Sequence, residues 1–115
     1  MLLLGIPESD FKAAGLLDTA NLAKKLFEGE SSPFPDLLYH VNGNELIAFW
    51  STDDYIADCT IVEQDLYANI TFIDGTSLDG DEAPTKSFLF TADQDMKELG
   101  IKIWTFIQDC IRDAR

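Results

Sequence analysis

Between Lys25 and Lys86 the chain has no lysine or arginine. The same 60 residues hold 13 carboxylates, and the flanks balance at eight acids against eight bases, so the formal charge of −13 sits in the middle of the chain. Phosphate neutralisation needs a basic stripe, so direct nucleic-acid binding is disfavoured and anionic lipid is repelled. The two local concentrations of cations, Lys24-Lys25 and Arg112/Arg115, read as helix-end charge.

Cysteine is also scarce. Cys59 and Cys110 lie far apart with no C-x-x-C spacing, so two reduced core thiols are expected rather than a disulfide framework. No apolar run approaches the roughly 20 residues of a membrane span. The start, Met1-Leu2-Leu3-Leu4-Gly5-Ile6-Pro7, is too short for a signal h-region and has no basic n-region, so a cytoplasmic location is expected. Repeats, low-complexity tracts and glycine-rich phosphate loops are missing.

What is present is core material. Hydrophobic residues make up 46% and aromatics 11%, including two Trp and eight Phe, which excludes an acidic disordered tail. At 115 residues the chain is expected to be one acidic domain, residues 1–115, with a real core.

A first short helix is expected over residues 7–14, ended by Gly15. A second should start after Asp18 as N-cap, with Leu22, Ala23, Leu26 and Phe27 on one face and Gly29 as C-cap. Prolines make residues 31–35 a loop. Asn42-Gly43 between apolar runs predicts a hairpin. Turns are expected at residues 52–54, at Gln64-Asp65 and at Asp74-Gly75. Tyr55, Ala57, Cys59 and Ile61 alternate with polar residues, as do Leu66, Ala68, Ile70 and Phe72, so two half-buried strands follow. Residues 76–86 read as an acidic loop and 87–90 as a short fifth strand. Thr91 and Gln94 suggest a capping box opening a C-terminal helix. Its stripe is Met96, Leu99, Ile103, Ile107, Cys110 and Ile111, and Gly100 is expected to permit close packing.

The fold class expected is therefore α+β. A meander-like antiparallel sheet of about five strands should carry the N-terminal helices and a long C-terminal helix on one face. Its other face should meet water and bear many of the 13 carboxylates, with its turns.

No residue pattern points to catalysis, and the protein is not expected to be an enzyme. His40, the one histidine, lacks a nucleophile context and reads as a surface residue. A Cys59–His40 pair across strands has no local support. Residues 74–82 superficially suggest calcium, but they lack the 1-3-5 oxygen spacing and the bidentate Glu of an EF-hand, so no metal or cofactor is expected.

The exclusion of cations from so long a span exceeds what solubility requires, and its self-repulsion opposes folding. A basic partner would relieve it. The expected function is a small inhibitor of a basic, nucleic-acid-handling protein, its carboxylates taking the places of phosphates. Phage anti-defence proteins (anti-CRISPR or anti-restriction) and nuclease-immunity proteins share this description of size and charge. Asp53, Asp54, Asp58, Asp74, Asp79, Asp81 and Glu82 are the expected contacts, with Tyr39, Tyr55 or Tyr67 as aromatic anchors. The alternatives are an acidic secretion-type chaperone or assembly adaptor docking through apolar surface, and a small enzyme or ligand-binding domain.

Overall fold

The structure, a computed structural model, describes residues 2–30, 32–72 and 84–113. The chain opens with a small hairpin, β1 (Leu2–Leu3) and β2 (Ile6–Pro7). Leu4 and Gly5 between them both take positive φ, 57° and 79°. Two-residue strands are too short to show an alternation, so this hairpin leaves no sequence signal.

Helix α1 (Glu8–Ala14) follows and is closed by Gly15 at φ 73°, the left-handed position that a residue without Cβ adopts at no cost. Helix α2 (Leu17–Glu28) starts one residue before Asp18. Leu16 is its N-cap, and Asp18 sits in the first turn, where its charge suits the dipole but its side chain makes no cap bond. Gly29 ends the helix in extended backbone, not in the left-handed form. Ala20, Ala23, Leu26 and Phe27 are the buried face of α2.

Five strands then run as an antiparallel meander, β3 (Leu38–Asn42), β4 (Glu45–Ser51), β5 (Tyr55–Val62), β6 (Asp65–Phe72) and β7 (Thr85–Leu89), in spatial order β3-β4-β5-β6-β7. The first hairpin pairs Asn42 with Glu45, so its loop is Gly43-Asn44, one residue later than the Asn-Gly signal implies. Only Gly43 takes positive φ there, which suits a turn with glycine at its first central position. The β5–β6 loop is Glu63-Gln64, with Asp65 already paired to Val62, and Glu63 takes φ 56° without being glycine. Between β4 and β5, the Thr52 Oγ1 accepts from the backbone N–H of Asp54 at 3.1 Å and of Tyr55 at 3.2 Å, so the hydroxyl closes the turn.

Helix α3 (Met96–Asp113) begins later than the capping box suggests. Gln94 does reach back, its Oε1 accepting from the Thr91 N–H at 2.6 Å. The Thr91 hydroxyl, however, donates to Asp93. The working cap is Asp95, whose Oδ1 accepts from the N–H groups of Lys97 (3.0 Å) and Glu98 (3.3 Å).

Helices and sheet form two layers. Leu46, Ala48, Cys59, Ile61, Leu66 and Ala68 from the sheet meet Leu26, Phe27, Leu99 and Ile103 from α2 and α3. Trp50, Tyr55, Ala57, Ile70 and Ile107 form a second cluster towards the other end of α3. Phe34, in the loop after α2, bridges the two. Its ring lies 5.1 Å from Phe27, 5.9 Å from Trp50 and 5.7 Å from Trp104, all edge-on. The loop is held there by Ser32, whose hydroxyl donates to the Phe27 carbonyl at 2.7 Å and accepts from the Phe34 N–H. Among the described residues no helix is long and apolar enough to cross a membrane.

Candidate functional site

The period of two fixes which side chains leave the core. Alternate residues of β3 to β7 point away from the helices, and none of them is buried. The register arranges them in rows across the sheet. One row reads Leu38, Phe49, Asp58, Asn69, Thr85, and the next His40, Ile47, Thr60, Tyr67, Ser87. A third reads Asn42, Glu45, Val62, Asp65, Leu89.

This open face differs from the expected sheet of carboxylates. Its strands carry Glu45, Asp58 and Asp65, while Leu38, Ile47, Phe49, Ile56, Val62, Tyr67 and Leu89 are apolar or aromatic. Leu38 is 65% exposed, Leu89 57% and Ile56 42%. The strands alternate apolar with mixed residues rather than apolar with charged, and the charges collect where the strands end. Asp53 and Asp54 stand exposed on the β4–β5 turn at one end. Glu45, Glu63 and Asp65 stand at the other, around the β3–β4 and β5–β6 turns. Glu28, Glu30 and Asp36 lie off the face, at the end of α2 and in the loop after it.

Asp58 is the one carboxylate in the middle. Its Oδ1 accepts from the Asn69 amide at 2.9 Å and from the Thr60 hydroxyl at 3.5 Å, and the Asn69 Oδ1 in turn accepts from the Thr85 hydroxyl at 2.6 Å. This ladder across β5, β6 and β7 fixes the Asp58 side chain while its Oδ2 makes no hydrogen bond among the described residues.

The structure thus brings Asp53, Asp54 and Asp58 to the open face and the turn at its end. Asp74, Asp79, Asp81 and Glu82 lie outside the described residues, as does the loop that suggested calcium. Among the described residues no group of three or more His, Cys, Asp or Glu is placed to hold a metal ion. Of the three tyrosines expected as anchors, only Tyr67 faces outward. Tyr55 is buried in the core beside Trp50, and Tyr39 points inward from edge strand β3. Burial pushes the Tyr39 hydroxyl well above its ordinary value, the nearby Glu28 carboxylate adds to the shift, and the hydroxyl lies outside hydrogen-bond geometry with any described partner. Strand parity explains all three, since Tyr39 and Tyr55 share the register of Ala48 and Phe72 while Tyr67 sits one residue out of phase.

Parity also separates Cys59 from His40. Cys59 faces the core and His40 the open side, so the two cannot meet through the sheet. Burial drives the Cys59 thiol far above its ordinary value, with the adjacent Asp58 charge adding to it.

No family model, no curated protein and no solved structure matches the chain.

Among the described residues the face runs into a cleft. At the end of β4, this cleft of about 380 Å³ is lined by Asp36, Leu38, Phe49, Trp50, Tyr55 and Trp104, with Pro35, Ser51 and Thr52 completing the wall. Leu38 and Phe49 belong to the open face, so cleft and face are continuous. These residues are scattered over β3, β4, β5, α3 and the loop before β3, so no local spacing announces them.

Proposed function

We propose that the protein is a small binding domain that docks a basic partner protein on the open face of its sheet, and that it acts as an inhibitor of a nucleic-acid-handling protein. One observation supports this reading most: a five-stranded face of interleaved apolar and polar side chains, acidic at both ends and at Asp58, on which the described strands present three carboxylates and no lysine or arginine. Lys86, on edge strand β7, keeps the inward register opposite Ala68 and lies over the Phe88 ring.

Exposed apolar side chains interleaved with polar ones and flanked by charge are common in non-obligate protein interfaces. The rim would steer a basic partner and set its association rate, while Leu38, Phe49 and Tyr67 would provide the desolvated contact area. The carboxylates of the β4–β5 turn and of Asp58 would then stand where the partner's own ligand places phosphates.

A second reading, an adaptor or chaperone that docks mainly through apolar contact, is favoured by the exposure of Leu38, Ile56 and Leu89. Salt separates the two, because electrostatic docking weakens with ionic strength and apolar docking persists.

The test is capture of partners from nuclease-treated host lysate on the immobilised protein, eluted by rising salt and repeated with the Asp53→Lys/Asp54→Lys/Asp58→Lys variant. A basic nucleic-acid enzyme released at moderate salt and lost in the variant is the expected result. A partner that the variant retains undiminished would refute the inhibitor reading, and one that survives high salt would favour the adaptor.

A further inference from the structure

We infer that the cleft at the end of β4 is an arginine-binding pocket that receives a guanidinium side chain of the partner; this rests on the docking reading above and names the anchor the partner would bring. The cleft, at about 380 Å³, falls within the size range of pockets for small ligands. Its walls are aromatic. Phe49 and Trp104 line it half-buried and the buried Trp50 and Tyr55 complete the wall, with the Trp50 and Trp104 rings packed on each other at 5.9 Å between centroids. Aromatic faces attract cations, tryptophan most strongly, and arginine is the usual guest because its planar guanidinium also stacks.

One wall is charged. Asp36 is exposed and lines the cleft, and its carboxylate makes no hydrogen bond or ion pair among the described residues. A guanidinium fork matches a carboxylate in two parallel bonds, which a lysine ammonium cannot do. Asp53 and Asp54, on the turn that begins at the cleft's Thr52, add negative potential beside it. The described lining holds no cation, so a cationic guest complements the Asp36 charge and an anionic one is repelled by it.

The cleft opens at the edge of the docking face, so a partner arginine seated in it would be flanked by contacts to Leu38 and Phe49. A charge-assisted pair beside aromatic rings, covered from water by the docked partner, is the setting in which a single side chain dominates an interface.

The inference is tested by nitrogen-15 NMR of the full chain, following the indole N–H signals of Trp50 and Trp104 during titration with N-acetyl-arginine methylamide. The lysine and leucine analogues serve as comparisons. Expected are saturable shifts at Trp104 with the arginine probe, weaker ones with lysine and none with leucine. The exposed substitution Asp36→Asn should weaken the arginine probe about fivefold and leave the rest of the spectrum unchanged. Absence of saturation, or equal response to leucine, would overturn the inference. The docking reading is judged separately by the charge reversals of Asp53, Asp54 and Asp58. If those abolish partner capture while the arginine probe fails to bind, the cleft inference alone falls.

Discussion

At the residue scale, the side chains that matter most are those whose direction the strand register decides. Cys59 and Asp58 are neighbours in sequence, yet one lies in the core and the other at the centre of the open face. The buried thiol has a measurable consequence. Its folded-state pKa is raised by burial, while in the unfolded chain it should ionise near its ordinary 9.0. The folded state therefore holds this proton to higher pH than the unfolded state does. The corresponding stability is fully present below pH 9.0 and is lost as the pH rises towards the folded value. The loss approaches about 1.4 kcal/mol per pH unit for this one group. Tyr39, also raised, adds to the decline from its ordinary 10.0 upward. Urea midpoints measured between pH 8 and 10 should thus fall more steeply in the wild-type chain than in Cys59→Ala, whatever the variant's absolute stability. Parallel slopes would show that the thiol ionises as readily folded as unfolded.

At the element scale, the sequence revealed what depends on period and hid what depends on neighbours. Alternation placed β5 and β6, a 3.6-residue stripe placed α3, and a Gly after α1 marked its end. Caps and turns moved by a residue or more because several residues competed for each. Asp95, not Thr91, caps α3, and Gly43-Asn44, not Asn42-Gly43, forms the first hairpin loop. Gly100 is the clearest case of a misread local signal. A glycine in a helix interior suggests close approach, yet a Cβ there would sit 3.5 Å from the Leu26 Cδ1 and 3.6 Å from the Phe34 Cε2, ordinary contact distances. The site can therefore accept alanine, and the lower backbone entropy of the unfolded alanine chain should dominate. Gly100→Ala is expected to stabilise the domain by about 0.5–1 kcal/mol, read as a higher urea midpoint at unchanged m-value. A destabilised variant would mean that α3 packs on Leu26 and Phe34 without the room the geometry gives it.

At the scale of the whole molecule, the charge count was legible and its arrangement was not. Composition could say that 13 carboxylates occupy 60 residues without a cation. It could not say that the sheet's open face would mix exposed apolar side chains with polar ones between acidic ends, because that depends on strand order and register, which bring Leu38, Phe49, Asp58, Asn69 and Thr85 into one row from five strands. The same charge acts on two equilibria with opposite sign. Within the chain, like charges repel across distances comparable to the screening length, roughly 10 Å at 0.1 M salt and 3 Å at 1 M. Added sodium chloride should therefore raise the thermal midpoint of the free protein, since ion pairs offset little of that repulsion. Those found among the described residues, Lys102–Glu98 and Arg112–Asp109, are exposed and lie on α3, outside the acidic span. Between chain and partner the sign reverses, because screening removes the attraction that steers a basic surface to the rim. Raising salt from 50 to 500 mM should thus stabilise the domain while weakening the complex by roughly tenfold or more. Calorimetry of the free protein and a binding titration in the same buffers would measure both. A complex indifferent to salt, on a domain that salt stabilises, would assign the acidic span to solubility and leave the exposed apolar side chains of the face to do the binding.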